Sequence, residues 1–212
     1  MDTQEREAVE AAVRTASEAG DHIMATQRAL ESYGPELLRY LVSLTHNAAL
    51  ADDAFSLLCE HLWKGLPDFR WESSLRTWSY VLARNALRMI RRQPHHRRPA
   101  VALSEADAAV GAMVAQLRST TAIYLKTEIK DAVAGLRRQL EPLDQDILLL
   151  RIGRRMSWLD IARIVREQSE GPVDDDSLKR EAARLRKRFQ RSKTALEQLI
   201  REHGLVGEPS RR

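Results

Sequence analysis

Hydrophobic residues recur every three or four positions along most of the chain, a spacing that predicts amphipathic helices. One predicted helix has its apolar face at Leu37, Leu38, Leu41, Val42 and Leu44. The next has the same spacing at Phe55, Leu58, Cys59 and Leu62. Asp52 or Asp53 is expected to be its N-cap. No stretch shows the alternation of a β-strand, so the pattern predicts an all-α fold.

A further helix is predicted to begin at Ser73 or Ser74 and to end before Pro94. Its apolar stripe is predicted at Leu75, Trp78, Leu82, Ala86 and Met89. Trp78 and Asn85 would lie about 10 Å apart along one face of this helix. An aromatic ring, an amide and neighbouring arginines can stack on an unpaired base and hydrogen-bond to it. The stripe equally predicts that Trp78 is a core residue, and the spacing leaves both interpretations open.

The C-terminal half has the pattern of a helix-turn-helix. A buried helix is predicted over Leu143–Ile152, closed by Gly153, and Ser157 is expected to cap the next helix. The last helix is predicted to begin at Asp176 or Ser177. Its inward positions are predicted at Leu178, Ala182, Leu185 and Phe189.

The outer face of this last helix is strongly basic. Residues 177–194 contain eight Lys or Arg and one acid, Glu181. A helix that is merely solvated usually interleaves charges of both signs, so the missing acids favour contact with nucleic-acid phosphates.

These elements indicate two helical domains joined by a flexible linker. Residues 1–20 are expected to form an N-terminal extension with weak burial, and residues 21–98 the first domain. The linker is expected at 99–121. The second domain is expected at 122–203, beginning with a helix over Ala122–Leu140, and the tail at 204–212.

Charge is segregated along the chain. The net charge is −7 over residues 1–72, +7 over 73–98, −3 over 99–176 and +7 over 177–212. Two basic blocks favour contact with nucleic acid at two places, although a membrane surface could also attract them, and the acidic blocks favour a basic protein surface.

Enzymatic and metal-binding motifs are missing from the sequence. His95 and His96 stand beside arginines, which disfavours a metal, and Asp174, Asp175 and Asp176 are expected to serve a helix N-terminus. The single Cys59 excludes an internal disulfide. No apolar run has the length of a membrane span. We therefore expect a cytoplasmic protein that is not an enzyme, with no cofactor, no metal and no membrane insertion.

Residues 69–92, FRWESSLRTWSYVLARNALRMIRR, resemble the promoter-melting motif of extracytoplasmic-function (ECF) sigma factors in the sigma-70 family. Residues 50–66, LADDAFSLLCEHLWKGL, resemble the preceding helix of that family. Residues 143–165 and 176–191 are similar to its region 4. The resemblance covers about residues 30–98 and 136–195, and it implies a sigma region 2 bundle followed by a region 4 helix-turn-helix.

The resemblance also implies three functional surfaces. The surface facing core RNA polymerase would contain Asp52, Asp53, Ser56 and Glu60. The surface for the minus-10 element would contain Phe69, Arg70, Trp71, Ser73, Ser74, Arg76, Trp78, Arg84, Asn85 and Arg88. The surface for the minus-35 element would contain Ser177, Lys179, Arg180, Arg184, Lys187 and Arg188. The implied partners are promoter DNA and core RNA polymerase, through its β′ clamp helices and β flap.

Three departures from the family pattern affect these surfaces. Trp71 stands where the family usually has Gly, and Ser56-Leu57 stands where it has a Gln-Glu pair. The turn from Arg166 to Asp175 is longer than the family's, and Glu181 stands where an Arg is common. The second departure motivates a hypothesis: phosphorylation of Ser56, or of nearby Thr45, by a serine/threonine kinase would restore about two negative charges to the polymerase-facing surface. Control by an anti-sigma factor is the alternative.

The sequence thus predicts an ECF-type sigma factor that binds core polymerase, recognises minus-35 and minus-10 elements and promotes DNA melting. One alternative is a stand-alone helix-turn-helix regulator of duplex DNA, which would leave residues 30–98 without a role. A second is an RNA-binding or adaptor protein that uses the Arg-rich linker.

Overall fold

The structure is a computed structural model that describes residues 1–92, 108–119, 132–166 and 174–204. Every regular element in these ranges is a helix, which confirms the all-α prediction. The chain forms two compact units, Met1–Leu125 and Lys126–Arg212. Within the described ranges, no helix combines the length and hydropathy needed to cross a membrane.

The described part of the first unit contains five helices. They are α1 (Thr3–Glu18), α2 (His22–Thr45), α3 (Ala48–Gly65), α4 (Leu75–Arg92) and α5 (Ala108–Arg118). Helix α2 is central, since it packs against each of the other four. Its Tyr33, Tyr40 and Leu38 are almost completely buried, as are Phe55 of α3 and Tyr80 of α4.

Helix α1 is packed into this unit, whereas the sequence predicts weak burial for residues 1–20. Val13 is fully buried. The Glu10 carboxylate accepts hydrogen bonds from the Arg76 backbone N–H at 3.3 Å and from the Tyr33 hydroxyl at 3.5 Å. Burial, reinforced by the negative charge of Glu10, raises the pKa of Tyr33. The prediction of weak burial for residues 1–20 was wrong because the sequence does not distinguish an acid that hydrogen-bonds to distant residues from one that faces solvent.

Two helix starts show how capping sets the boundaries. Helix α3 begins after Asn47, whose side-chain oxygen accepts from the Leu50 N–H at 3.0 Å. Asp52 and Asp53 therefore lie inside the helix, and the prediction that one of them is the cap was wrong. Helix α4 begins after Ser74, whose hydroxyl accepts from the Thr77 N–H at 3.0 Å.

The buried face of α4 is rotated relative to the predicted stripe. Its buried residues include Leu75, Ser79, Tyr80, Ala83, Ala86 and Leu87. Met89 is 43% exposed, and Trp78 is only half-buried. The stripe was misplaced because Ser79 can be buried at little cost, as its hydroxyl donates to the Leu75 carbonyl at 2.8 Å.

The described helices of the second unit are α6 (Ala132–Arg137), α7 (Pro142–Leu148), α8 (Trp158–Val165) and α9 (Asp175–Glu202). Helix α7 continues as a π-helical turn over Leu149–Gly153. Helix α9 packs against α6, α7 and α8. The inward residues predicted for this helix are confirmed as buried: Leu178, Ala182, Leu185 and Phe189.

Capping also defines the helix-turn-helix. The Ser157 hydroxyl accepts from the Asp160 N–H at 3.1 Å, which confirms Ser157 as the cap of α8. Helix α9 begins slightly earlier than predicted, because Asp174 is its N-cap and accepts from the Ser177 N–H at 2.7 Å. Hydrogen bonds from the backbone and side chain of Ser177 lower the pKa of Asp174.

Several sequence predictions concern residues outside the described ranges. They include the segment 93–104 with His95 and His96, the first part of the helix over Ala122–Leu140, residues 167–173 of the turn from Arg166 to Asp175, and the tail from 205. Helix α5 lies within the stretch 99–121 predicted to be a linker, and the domain boundaries remain predictions.

Candidate nucleic-acid interface

The loop between α3 and α4 folds back onto the end of α3. The Asp68 N–H donates to the Gly65 carbonyl, and the Phe69 N–H donates to the Leu66 carbonyl, each at 3.2 Å. Trp71 then adopts a left-handed backbone conformation with φ of +58°, which a bulky L-residue rarely takes. The backbone at Trp71 therefore has the conformation that glycine favours, at the position where the sigma-factor pattern usually has Gly.

Three aromatic rings form a cluster on this loop. The Phe69 ring is stacked on Trp78, with centroids 4.5 Å apart and planes at 19°. It also contacts Trp71 at a centroid distance of 4.9 Å. On α3, a Cβ added at Gly65 would lie 3.1 Å from the Trp78 ring. Trp78 of α4 thus contacts both Phe69 of the loop and Gly65 of α3, and its indole is half-buried.

Helix α1 reaches the same cluster. The Arg14 guanidinium lies 5.6 Å from the centroid of the Trp71 ring. Its Nε also donates to the Glu18 carboxylate at 2.8 Å, within an exposed pair on the same helix. Sequence reasoning missed Arg14, because no local pattern relates α1 to a loop so distant in the chain.

Arg76, which the resemblance places among the DNA contacts, is buried and engaged within the protein. It is 8% exposed. Its guanidinium donates to both oxygens of Glu36 on α2, at 2.6 and 3.0 Å. Burial works against its charge, but the hydrogen bond and the charge of Glu36 raise the pKa of Arg76. The pair holds α4 to α2.

Asn85 lies on α4 with its side-chain amide buried. The residue is 7% exposed, and its Nδ2 has no hydrogen-bond partner in the part of the chain that the structure describes. A buried donor without a partner costs about 1 to 3 kcal/mol. Asn85 therefore has an amide donor that the described part of the chain leaves unpaired, and the half-buried Arg84 and Arg88 lie on the same helix.

Arg70 and Glu72 of the loop are exposed to solvent, and Ser73 is half-buried. The side chains of Arg70 and Glu72 are 85% and 73% exposed, and their charged groups are 3.9 Å apart. The Ser73 hydroxyl donates to the Ser74 carbonyl at 3.4 Å. An ion pair this exposed is worth little, so Arg70 can exchange Glu72 for a phosphate.

A second basic surface is formed by the outer face of α9. Lys179 lies 3.6 Å from Asp176, and Arg184 lies 3.0 Å from Glu181. The sequence count recognised only Glu181 as an opposing acid. The Lys179 and Arg184 side chains are still 65% and 81% exposed, so both pairs are weak and can be exchanged for phosphate. The other exposed basic residues on this face include Arg180 and Lys187.

Arg188 holds the second unit together. It donates to both oxygens of Asp144 on α7, at 2.6 and 3.1 Å, and the Ser192 hydroxyl donates to the same carboxylate at 2.6 Å. Burial alone would raise the pKa of Asp144, but these hydrogen bonds outweigh it and lower that pKa. The pair fixes α9 against α7.

The residues predicted to face polymerase lie together on α3. The Ser56 hydroxyl donates to the Asp52 carbonyl at 2.9 Å, and Glu60 is paired with Lys64 at 2.7 Å. Asp53 is half-buried. Thr45 lies at the end of α2, where its hydroxyl donates to the Asn47 carbonyl at 3.1 Å.

A helical bundle that carries aromatic rings beside arginines, together with a basic helix-turn-helix, is typical of proteins that bind DNA. Residues 29–96 match the family model for sigma-70 region 2. The chain therefore contains a sigma-70 region 2 domain. Comparisons with curated proteins and with solved structures gave no match. The matched stretch holds the aromatic cluster, and α1 and α5 lie outside it.

Proposed function

We propose that this protein is an ECF-type sigma factor that binds core RNA polymerase, recognises minus-35 and minus-10 promoter elements and promotes DNA melting. The observation that carries this proposal is the aromatic cluster of the region 2 domain, in which the half-buried Trp78 is stacked on Phe69 and lies against Gly65. A fixed aromatic surface beside basic residues is suited to hold an unstacked base of a single strand.

The residues proposed for the minus-10 element divide into those that contact bases and those that contact the sugar-phosphate backbone. Phe69, Trp71 and Trp78 provide the stacking surface, and Asn85 provides an amide donor to a base edge. The groups proposed to contact the backbone are Arg70, Ser73, Ser74, Arg84 and Arg88. Arg76 is left out of this set, because its guanidinium is already paired with Glu36.

The residues proposed for the minus-35 element lie on α9. Ser177, Lys179, Arg180, Arg184 and Lys187 lie near the beginning and along the outer face of this helix. In helix-turn-helix proteins the N-terminal part of such a helix enters the major groove. Arg188 is proposed to position this helix through Asp144, and not to read DNA.

The surface proposed for core polymerase is acidic, with Asp52, Asp53 and Glu60 on α3. It suits a basic partner such as the β′ clamp helices, because charge complementarity speeds association and excludes wrong partners. The protein would catalyse no reaction itself and would act by binding.

Phosphorylation is proposed as a way to strengthen this surface. Ser56 lies among these acids, and a phosphate there or on Thr45 would add about two negative charges. Core binding by Ser56→Glu and Ser56→Ala variants can be compared with that of the unmodified chain. Tighter binding by the Glu variant alone would support this regulation, and equal tight binding by all three chains would contradict it.

Run-off transcription with core polymerase that lacks any sigma factor tests the proposed function. The promoter fragment upstream of the protein's own gene is a suitable first template. We expect initiation at a defined position only when the protein is added. Binding to duplex DNA without initiation by core polymerase would instead support a stand-alone regulator.

A further inference from the structure

Helix α5 docks onto the region 2 domain although it lies outside the matched stretch. It packs against α2 and, less extensively, against α3. Val110 of α5 is only 4% exposed. The sequence of this helix, AAVGAMVAQLR, is apolar up to its last residues, as expected for a helix that packs on a protein surface.

A glycine in the middle of α2 makes room for α5. A Cβ added at Gly34 would lie 2.7 Å from Cδ1 of Leu117 and 3.8 Å from the Phe55 ring. A methyl group at this position would therefore require the end of the Leu117 side chain to move. Glycine is less favourable than alanine inside a helix, and the packing of Leu117 gives a structural reason for glycine at this position.

The last residue of α5 reaches the acidic surface of α3. Arg118 Nε lies 3.9 Å from Oδ1 of Asp52. The positive charge of Arg118 also acts to lower the pKa of the buried Cys59, although the larger effect of burial raises it. Asp52, Ser56 and Cys59 are four and three residues apart, so they share one face of α3. Arg118 therefore lies along the face that contains Asp52 and Ser56.

We infer that α5 occupies part of the polymerase-binding surface and that α5 and core polymerase compete for it. This inference rests on the proposed function. Asp53 and Glu60 are seven residues apart and lie on an adjacent face, so α5 covers only one side of the acidic surface. The arginine of α5 takes the place of a basic group of the partner. If the surface is free in about a tenth of the molecules, core binding is weakened about tenfold.

The test uses the full-length chain with two substitutions on α5, Leu117→Ala and Arg118→Glu. They remove the contacts with Gly34 and Asp52 and leave α2 and α3 unchanged. The matched control is Gln116→Glu, which adds a negative charge on an exposed position of the same helix. Gly34→Ala is a second variant that narrows the Leu117 site from the opposite side and favours the helical state of α2.

Two measurements are made on each chain: amide hydrogen exchange of residues 108–118, and affinity for core polymerase. We expect slow exchange of α5 in the free wild-type chain and in the control. We expect fast exchange in the variants and in the wild-type complex with polymerase. The double variant should bind core polymerase several-fold to about tenfold more tightly, as the fraction of free surface rises.

Three results would overturn the inference. Release of α5 without tighter polymerase binding would show that α5 does not compete. Continued protection of α5 in the polymerase complex would show the same. Slow exchange of α5 in the double variant would show that Leu117 and Arg118 do not hold it. Failure of every chain to bind polymerase, with α5 released as expected, would be distinct from these and would overturn the proposed function.

Discussion

The Trp78 indole is stacked on the Phe69 ring at a centroid distance of 4.5 Å, with an angle of 19° between the planes. Gly65 lies against the edge of the indole, where an added Cβ would be 3.1 Å from the ring. Trp78 is therefore held in one orientation before any DNA arrives. A side chain that is already ordered loses less entropy on binding, which suits a residue proposed to hold a melted strand.

Loss of Trp78 and Asn85 should impair promoter opening more than duplex binding. Stacking of a base on an aromatic side chain is worth about 1 to 3 kcal/mol, so Trp78→Ala should reduce open-complex formation by about tenfold or more. Asn85→Ala removes a buried donor that has no partner in the described chain, so thermal stability should not fall through a lost hydrogen bond. The measurement is permanganate reactivity of the promoter. A pre-melted template should restore activity, and its failure to do so would count against this role.

Arg14 should position the loop that contains Trp71. A cation–π contact at an exposed site contributes about 0.5 to 1 kcal/mol. Arg14→Ala should therefore weaken binding to a fork template carrying the minus-10 element by a few-fold. Glu18→Ala is the matched control, because it removes the partner of Arg14 but leaves the guanidinium over the ring. Equal losses in the two variants would point to a general effect on α1.

The pair formed by Arg76 and Glu36 should stabilise the first unit. Breaking a buried ion pair by removing one partner costs about 3 kcal/mol, so Arg76→Ala should lower the free energy of unfolding by about that amount. Replacing Glu36 by Gln in the same chain should recover part of the loss. Urea denaturation of the single and double variants measures the coupling. If the Arg76→Ala chain is stable but binds DNA more weakly, Arg76 contacts DNA and the ion pair does not stabilise the unit.

Acid should destabilise the second unit through Asp144. The pKa of Asp144 is lowered in the folded state, so its stabilising effect is present above its unfolded pKa of about 3.9. That effect is lost as the pH falls through the lowered folded-state pKa. Asp144→Asn should cost about 1 to 2 kcal/mol at neutral pH and should flatten the dependence of unfolding on pH below about 4. Thermal melts between neutral and acid pH check both effects.

Basic residues of α9 should differ in their effect on DNA. Lys179→Ala or Arg184→Ala should weaken binding to the upstream element by about 1 to 3 kcal/mol if the residue reads a base, and should lower the salt slope if it contacts only phosphate. Arg188→Ala should reduce stability and leave the salt slope nearly unchanged. Fluorescence anisotropy over a salt series separates these outcomes. A lower salt slope for Arg188→Ala would place that residue at the DNA.

The sequence predicts the local features of the fold well. Helical periodicity and the capping Ser157 reproduce the helix-turn-helix, and the inward positions Leu178 and Phe189 are confirmed. The sequence does not predict features that depend on contacts between distant residues. Arg76 has the same local signature whether it faces DNA or Glu36, and Arg14 shows no relation to Trp71 until the chain is folded. The buried face of α4 was misplaced because the small residues Ser79 and Ala83 pack inward.

The hydrogen bond between the Glu10 carboxylate and the Arg76 backbone N–H connects α1 to α4, and it shows which N-terminal residues pack with the region 2 domain. The family match starts at residue 29, yet Val13 is buried and the beginning of α4 is bonded to α1. A fragment cut at the matched boundary would leave an apolar surface uncovered on α2 and an amide of α4 without its acceptor. The packed unit therefore begins earlier in the chain than the stretch that the family model matches. A fragment designed from the match alone would lack α1 and would begin inside α2.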